Sequence, residues 1–358
     1  MRMEGWRSLA LVACVLLQSC GGIEPQSGQR GETALSGNLR SDTHIFEQIA
    51  PGVYFATGAG PVNVGSNAMV VVNENDVLVV DSHITPDAAL ELIDSVKAIT
   101  DKPLHFLVNS HFHFDHAHGN QSFPEGIEII GHEYTRERLL GDVLQEPTYT
   151  VLGSEEYQES VVADLEQQLV AADDKGRTAL EAQIAMVKRH LKALSEVKPT
   201  PPNTTLVRKL TLHRGMREIQ IRHLGRGHTG GDVVVFLPAE RIVFTGDLFY
   251  DGAPYLGDSY PEDFIQTLEK LKQLDFDVAV PGHGPLVRDR SKIDFNQVYL
   301  RTYWGQIKKF HGQDLSVEEA IEKVDLSGYE QFAASRFGRP EVLELEVRRM
   351  YQLLDGGQ

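Results

Sequence analysis

The sequence predicts an α/β protein made of two similar halves that pack sheet against sheet, with helices on the outer faces. Two observations lead to this prediction. Short runs of β-branched residues followed by helical sequence occur between residues 53 and 110, and the same order recurs after residue 204. Elements in this order are typical of layered domains, in which each sheet buries one face against a partner layer.

The first half begins with three short strands separated by Gly, Asn and Asp: VYFATG (53–58), NAMVVVN (67–73) and DVLVVDS (76–82). A helix follows, with Thr85 as its N-cap and Pro86 in its first turn. Leu90, Ile93 and Val96 recur at helical spacing within it. The next strand, LHFLVNS, leads directly into a histidine-rich loop. Ligands of open α/β sheets bind at such strand ends.

Residues 155–196 predict a helical hairpin inserted between the two halves. Its second helix has apolar residues spaced 4, 3, 4 and 3 apart: Leu180, Ile184, Val187, Leu191 and Leu194. The first helix carries the same stripe at Val162, Leu165 and Leu169, and the prolines of KPTPPN end the hairpin. We expect the hairpin to form a substrate wall or lid, a homodimer contact beside the site, or a spacer that projects into solvent.

The second half repeats the pattern of strands and then helices. Its strand-rich segments are TTLVRKLTLH, EIQIRHL, DVVVFLP and RIVFTGD. A helix near 261–274, the strand FDVAVPG and mostly helical sequence follow. The predicted organisation is therefore a sandwich domain over 44–290 with the hairpin inserted, and a helical C-terminal extension over 291–358.

The first residues predict export and lipidation. Arg2 and Arg7 precede a nine-residue apolar run, LALVACVLL. A run of this length is typical of the core of a secretory signal and is too short to span a bilayer. The run ends in LQSC, which resembles the lipobox of bacterial lipoproteins. This resemblance implies a signal peptide over 1–19, lipid on Cys20 and a flexible tether over 20–43. We expect a periplasmic lipoprotein that contacts the membrane only through this anchor; an ordinary signal peptide is the alternative.

Charge and cysteine content narrow the classes of partner and site. The chain of 358 residues has a net charge of −17, and removal of residues 1–19 would make it about −18. Such an acidic chain argues against nucleic acid as a partner and favours a small-molecule substrate. Its two cysteines are Cys14 and Cys20, so the mature chain would have no internal disulfide. Any metal site must therefore use His, Asp and Glu.

The loop NSHFHFDHAHGN (109–120) contains the spacing H-x-H-x-D-H. Its members are His111, His113, Asp115 and His116. Three imidazoles and a carboxylate within six residues gain nothing from core packing, and the imidazoles would repel one another if protonated. A metal that binds neutral imidazole and carboxylate removes this conflict. The loop therefore predicts a metal site.

Four further polar stretches fall at strand ends. They are VVDS with Asp81, GRGHTGGD with His228, FTGD with Asp247 and PGHG with His283. Together with the histidine loop, and in this order, they resemble the metallo-β-lactamase superfamily over roughly residues 50–290. The resemblance implies an αββα sandwich whose site lies at one edge, between the halves.

The resemblance also implies roles for these residues. His111, His113 and His228 would hold a first metal, Asp115, His116 and His283 would hold a second, and Asp247 would bridge the two. Asp81 would orient the histidine loop, and Asp115 would also orient the nucleophile. Two Zn²⁺ ions per chain could then share a hydroxide that attacks an amide or ester-type carbonyl.

The substrate stays open between several relatives. A class B β-lactamase-like activity suits an exported enzyme, but one β-lactamase subclass has cysteine at the position of Asp247 and lysine at that of Tyr250. A bridging aspartate is more typical of the wider family, which includes glyoxalase II-like thioesterases and lactonases. A mononuclear iron enzyme similar to persulfide dioxygenases is a further alternative. A lipoprotein that binds metal or a partner without catalysis would not need a bridging carboxylate.

Overall fold

Two β-sheets face each other with helices on both outer sides, as the sequence predicts. This computed structural model describes residues 38–329 and 340–357. The predicted signal peptide, Cys20 and most of the tether lie outside the described residues, and their assignments stay predictions.

The first sheet has eight strands that lie in the order of the chain. They are β1 (Leu39–Arg40), β2 (His44–Ala50), β3 (Val53–Gly58), β4 (Ala68–Val72), β5 (Val77–Val80), β6 (Leu104–Val108), β7 (Glu128–His132) and β8 (Thr204–Leu206). Pairing is antiparallel from β1 to β5 and parallel from β5 to β8. The carboxyl ends of β5, β6 and β7 therefore meet at one edge.

The second sheet has five strands in the order β13-β12-β11-β10-β9. They are β9 (Lys209–Arg214), β10 (Arg217–Arg222), β11 (Val234–Leu237), β12 (Ile242–Gly246) and β13 (Val278–Pro281). The predicted segment TTLVRKLTLH divides between the sheets, because β8 pairs with β7 and β9 pairs with β10. The chain crosses at Val207 and Arg208, and the Val207 carbonyl lies 3.1 Å from His132 Nε2.

Alternating apolar residues of the two sheets form the core between them. Members that contribute from both sides are Phe55, Leu78, Phe106, Val108, Ile219, Val235 and Phe244. Burying each such side chain stabilises the fold by about 1.5–3 kcal/mol. This interface fixes one sheet on the other, and so it fixes the spacing of the loops at the shared edge.

Ten helices are numbered here in chain order through the described residues. They are α1 (Pro86–Ile99), α2 (Phe114–Ala117), α3 (Glu133–Leu140), α4 (Pro147–Leu152), α5 (Glu155–Ala171), α6 (Asp174–Leu194), α7 (Pro261–Lys272), α8 (Lys292–His311), α9 (Val317–Lys323) and α10 (Pro340–Leu354). Two short 3₁₀ turns cover His118–Ser122 and Val143–Gln145. None of the helices in the described ranges is long and apolar enough to cross a membrane.

Helix α1 begins as predicted, because the Thr85 side chain accepts a hydrogen bond from the Ala88 amide. Ile93 and Val96 pack against the outer face of the first sheet. Leu90, which belongs to the same predicted stripe, is instead 51% exposed. The helix turns Leu92 toward the sheet, which places residue 90 on the solvent side.

The inserted hairpin is present as α5 and α6. Its predicted stripes meet between the two helices, where Val162, Leu165, Ile184 and Val187 are buried. The base of the hairpin is tied to the sandwich through polar contacts. Arg189 donates two hydrogen bonds to the carboxylate of Asp87 on α1, at 2.7 and 3.0 Å. The hairpin therefore buries its own apolar surface, and polar groups set its position on the sandwich.

The C-terminal part of the chain covers the second sheet. Helices α7, α8, α9 and α10 pack together on its outer face through Phe264, Leu268, Tyr299, Tyr303 and Met350. This layer completes the order helix, sheet, sheet, helix. The helical C-terminal extension that the sequence predicts is therefore an integral layer of the sandwich.

Candidate metal centre

The predicted ligands converge at the edge where several strands end. The histidine loop follows β6, Asp247 follows β12, and His283 lies two residues beyond β13. His228 lies in the loop before β11. Each stretch is brought there by a buried strand, so the two halves supply the two sides of one site.

Three groups of side chains place one ligand atom each within 4.8 Å of one another. These are His111, His113 and His228; His111, His116 and Asp247; and Asp115, His116 and His283. The first and third groups match the two metal sites that the resemblance implies. The second group shares His111 with the first and His116 with the third, and it adds Asp247 between them.

The rings of His113 and His228 are oriented by partners on the loop before α7. His113 Nε2 lies 2.9 Å from the carboxylate of Asp258, and His228 Nδ1 lies 3.1 Å from the carbonyl of Tyr255. Both partners are acceptors, so each of these nitrogens carries the proton. The remaining nitrogens, His113 Nδ1 and His228 Nε2, then face each other as lone pairs 3.0 Å apart. A cation between them would remove this repulsion.

The third member of the first group is oriented by the residue before it. His111 Nδ1 lies 3.0 Å from Ser110 Oγ, whose hydroxyl donates to Asp81 at 2.7 Å. Because that hydroxyl proton is used on Asp81, Ser110 accepts from His111. The Nε2 of His111 is buried without a hydrogen-bond partner. It offers a lone pair to the site, as a metal ligand must.

The second site combines two carboxylates with two imidazoles. His116 Nε2 lies 3.4 Å from Asp115 Oδ2, and His283 Nε2 lies 3.1 Å from the same oxygen. His116 donates from Nδ1 to Asp81 at 2.7 Å, which turns Nε2 toward the site. Nitrogen and oxygen donors of this kind suit Zn²⁺.

Asp247 lies between the two sites. Its Oδ1 is 3.4 Å from His116 Nε2, and its Oδ2 is 3.2 Å from His283 Nε2 and 3.7 Å from His228 Nε2. One carboxylate therefore reaches ligands of both groups. This is the placement that a bridging ligand requires, and Oδ1 is buried without a hydrogen-bond partner.

Asp81 organises the histidine loop from beneath. It is fully buried and accepts hydrogen bonds from the Ser110 amide, the Ser110 hydroxyl and His116 Nδ1, each at 2.7 Å. Its backbone has φ of 65°, which costs a residue with a Cβ of order 1–3 kcal/mol. The carboxylate is thus held in a strained position that serves both His111, through Ser110, and His116.

Burial keeps two imidazoles of the first group, those of His111 and His228, neutral. It holds the pKa of His111 well below the ordinary value, and neighbouring His116 lowers it further. Burial, followed by the nearby His113, lowers the pKa of His228 to about 3. Neutral imidazole is the form that binds metals, so these two side chains are ready to coordinate at neutral pH.

The second site, formed by Asp115, His116 and His283, has the opposite electrostatics. Burial opposes the charge on His116, but Asp115, Asp247 and Asp81 together hold its pKa well above the ordinary value. In the same way, desolvation is outweighed at His283, where Asp247 and Asp115 raise the pKa to about 10. Without a metal, these two imidazoles would therefore be protonated and would balance the carboxylates.

The segment before β4 closes one side of the site. Ser66 donates from its hydroxyl to the Asp115 carbonyl at 2.6 Å. The Asn67 amide donates to the Gly282 carbonyl at 2.7 Å, and its side chain donates to Gly284 at 2.9 Å. These bonds join the stretch around Asp115 to the stretch around His283.

Several residues that orient the ligands were not identified from the sequence. Ser110 directly precedes His111, so its position offered a signal. No sequence pattern pointed to Tyr255, Asp258 or Thr148. Asp258, for example, lies in an ordinary loop sequence that precedes a helix. Thr148 donates to Asp258, and its hydroxyl lies 2.9 Å from that of Tyr255. Only the tertiary fold brings this trio to His113 and His228.

A comparison of the sequence with models of protein families identifies the family of the chain. Residues 62–283 match the Metallo-beta-lactamase superfamily. The chain belongs to this superfamily. The matched range contains Asp81 and all seven predicted ligands. The resemblance seen in the five short stretches is therefore confirmed, as is the αββα sandwich that it implies.

Among curated proteins, this superfamily member is similar to the linear primary-alkylsulfatase of a Pseudomonas species. The two are 23% identical over 300 residues, which cover 77% of this chain and 53% of the relative. The chain spans about half the length of the curated relatives it matches.

Solved structures of the superfamily share the fold. The stereoselective inverting sec-alkylsulfatase of a Pseudomonas species superposes with a TM-score of 0.59 at 14% identity, covering 86% of this chain and 50% of that one. A metallo-beta-lactamase from Pontibacter korlensis has a TM-score of 0.51 at 18% identity, covering 72% of this chain and 99% of that one. At these identities the likeness concerns the fold.

Proposed function

We propose that this protein is a binuclear zinc-dependent hydrolase. The observation that carries the proposal is the set of buried nitrogens turned toward the two adjacent ligand groups. The rings of His111, His113, His116 and His228 each bond to the protein through one nitrogen and offer the other to the site. Asp247 extends to both groups. Two Zn²⁺ ions per chain fit these donors.

The chain's own residues would perform distinct tasks in hydrolysis. When bound, Zn²⁺ would lower the pKa of water from 15.7 to roughly 7 and polarise the bond under attack. Asp115 is placed beside His283 and His116 to accept a hydrogen bond from the attacking water and orient it. Asp81 would hold His116 and Ser110 in place, so that the ligands need no rearrangement during turnover.

Two substrate classes are supported by different observations. The superfamily match and the ligand set support attack on an amide or ester-type carbonyl, as in β-lactams, lactones or thioesters. The alkylsulfatases support a sulfate ester. One of them covers 86% of this chain, against 72% for the metallo-beta-lactamase. The sulfatase likeness therefore extends over a larger share of this chain.

Metal analysis combined with a substrate panel tests this function. We expect close to two Zn²⁺ per chain and hydrolysis of at least one β-lactam, lactone, thioester, phosphoester or alkyl sulfate. Asp115→Asn should lower kcat by at least tenfold. His132→Ala, which changes a histidine outside the three ligand groups, serves as the control. One iron per chain, no zinc and oxygen consumption with a persulfide would support the iron enzyme instead.

We also propose that the protein is an exported lipoprotein of the bacterial periplasm. The proposal depends on the signal sequence and on the LQSC stretch that ends in Cys20. Cys20→Ala should leave the precursor unprocessed or release the protein into the soluble periplasmic fraction. A Cys20→Ala protein that is processed and membrane-bound like the wild type would contradict the lipid anchor.

A further inference from the structure

The segment Tyr255–Tyr260 supports the first metal group but has no regular secondary structure of its own. The Tyr255 carbonyl orients His228, and the Asp258 carboxylate orients His113. A strand or helix would fix these two acceptors through its own backbone hydrogen bonds. In this segment a single turn bond, from the Ser259 amide to the Leu256 carbonyl at 3.2 Å, is supplemented by contacts with neighbouring elements, which hold the two acceptors in place.

Helix α10 contacts this segment at two positions. Glu346, only 1% exposed, accepts a hydrogen bond from the Leu256 amide at 3.0 Å. One turn later, Arg349 donates to the Ser259 carbonyl at 3.2 Å, and its guanidinium lies 4.7 Å from the centre of the Tyr260 ring. The two contacts lie on either side of Asp258.

The position of Glu346 is unusual for a glutamate. A carboxylate removed from water costs several kcal/mol unless it is hydrogen-bonded, so most glutamates remain at the surface. Here the neighbouring Leu345 and Val347 are also buried, and Val347 belongs to the apolar cluster on the second sheet. An apolar residue would suit this cluster better, but it could not accept a hydrogen bond from Leu256.

We propose that helix α10 supports the metal centre and that Glu346 is a positioning residue for the first metal. Glu346 holds the Leu256 amide, and this fixes the peptide that carries the Tyr255 carbonyl. Together with Arg349 it holds Asp258 against His113. The inference rests on the proposed function in one respect, since it requires that His111, His113 and His228 bind a metal.

The size of the effect follows from the role of such partners in metalloproteins. Groups that orient a ligating histidine typically contribute 10–100-fold to metal affinity. Removing Asp258 itself should therefore weaken the first site by about 10–100-fold. Glu346 acts one step further away, so its removal should weaken the first site by about tenfold. The second site, at Asp115, His116 and His283, should change by less than about threefold.

Zinc and cobalt binding by the full chain test this inference. Zn²⁺ affinity of each site is measured by chelator competition, and Co²⁺ spectra report the geometry of the first site. We expect Glu346→Ala to weaken the first site about tenfold and to change the Co²⁺ spectrum. Glu346→Gln keeps an acceptor oxygen and should restore both. Arg348→Ala, on the same helix but paired with Glu344 and Glu318, is the matched control.

Two outcomes are distinguishable. If wild-type protein binds no metal at the first site, both the proposed function and this inference are wrong. If the wild type binds metal and Glu346→Ala has the same affinity and spectrum, the inference alone is wrong. Should Glu346→Ala fail to fold, Glu346→Asp replaces it, because the shorter side chain keeps the charge and withdraws the oxygen from Leu256. The same two measurements then decide.

Discussion

Gly282 lies against the carboxylate of Asp247 so closely that a Cβ on this glycine would overlap Oδ1. The same Cβ would lie 2.7 Å from Cε1 of His116. The glycine before His283 is therefore required by the space that the second metal site occupies.

Gly282→Ala should weaken metal binding at the second site. Overpacking costs typically 1–3 kcal/mol, and here the displaced groups are Asp247 and His116. If that cost falls on the ligands, affinity decreases by roughly 5–150-fold. Gly131→Ala is the matched control, because its Cβ would meet Pro202 Cγ at 2.6 Å, at a position that holds no predicted ligand. We expect the control to lower Tm with unchanged zinc affinity; equal metal loss in both variants would contradict this explanation.

The two histidines of the second site should differ in how selectively they act. His283 belongs to one ligand group, whereas His116 belongs to two. His283→Ala should therefore empty the second site and leave the first within about threefold of wild type. His116→Ala should disturb both sites and lower Tm, because it also removes a buried partner of Asp81. Zinc content and Tm of the two proteins check this, and equal loss of both metals from His283→Ala would mean that the assignment is wrong.

Metal binding at the second site should release protons. In the metal-free protein the pKa of His283 is raised to about 10, so this imidazole is charged at neutral pH and a metal must displace its proton. Affinity should thus rise with pH up to about 10, by about tenfold per unit for each proton displaced. A weakly buffered solution with a pH indicator measures the release directly. His283→Gln should release fewer protons; a zinc affinity independent of pH would contradict the prediction.

The same shift predicts how the metal-free protein responds to base. A histidine whose folded-state pKa is raised contributes stability that is complete below its unfolded value of 6.5 and is lost as pH rises through about 10. The urea midpoint of the metal-free protein should therefore fall between pH 7 and pH 10. The fall should be smaller in His283→Gln. A wild-type midpoint that stays constant over this range would show that His283 is not held by Asp247 and Asp115.

The parts of the fold that local patterns determine were predictable from the sequence. The N-cap at Thr85 and the helical period through Ile184 and Val187 depend on neighbours within a few residues, and both are present. The division of TTLVRKLTLH between two sheets was not predictable, because β-propensity does not say which strand a segment pairs with.

The same distinction holds at the metal centre. The ligands occur in short dense motifs, so they could be named from the sequence. Asp258 and Glu346 lie in sequence that resembles an ordinary loop and an ordinary helix. Their use depends on long-range packing, which brings residue 258 to residue 113 and residue 346 to residue 256.

The last prediction concerns the inserted hairpin. Its stripes already bury each other, so its base needs polar anchors, and Arg189 supplies two hydrogen bonds to Asp87 and one to Glu91. The Gln121 side chain, just beyond the histidine loop, donates to the Glu196 carbonyl at the other end of the base. We therefore expect the hairpin to support the histidine loop and to form a wall of the substrate site, with a homodimer contact as the alternative.

Arg189→Ala should increase hydrogen exchange in residues 114–122. Lys188→Ala, which removes an ion pair within the hairpin, should not. Replacing 155–196 by a short Gly-Ser linker should lower kcat/KM at least tenfold. A deletion protein with unchanged metal content, mass and kinetics would mean that the hairpin is only a spacer.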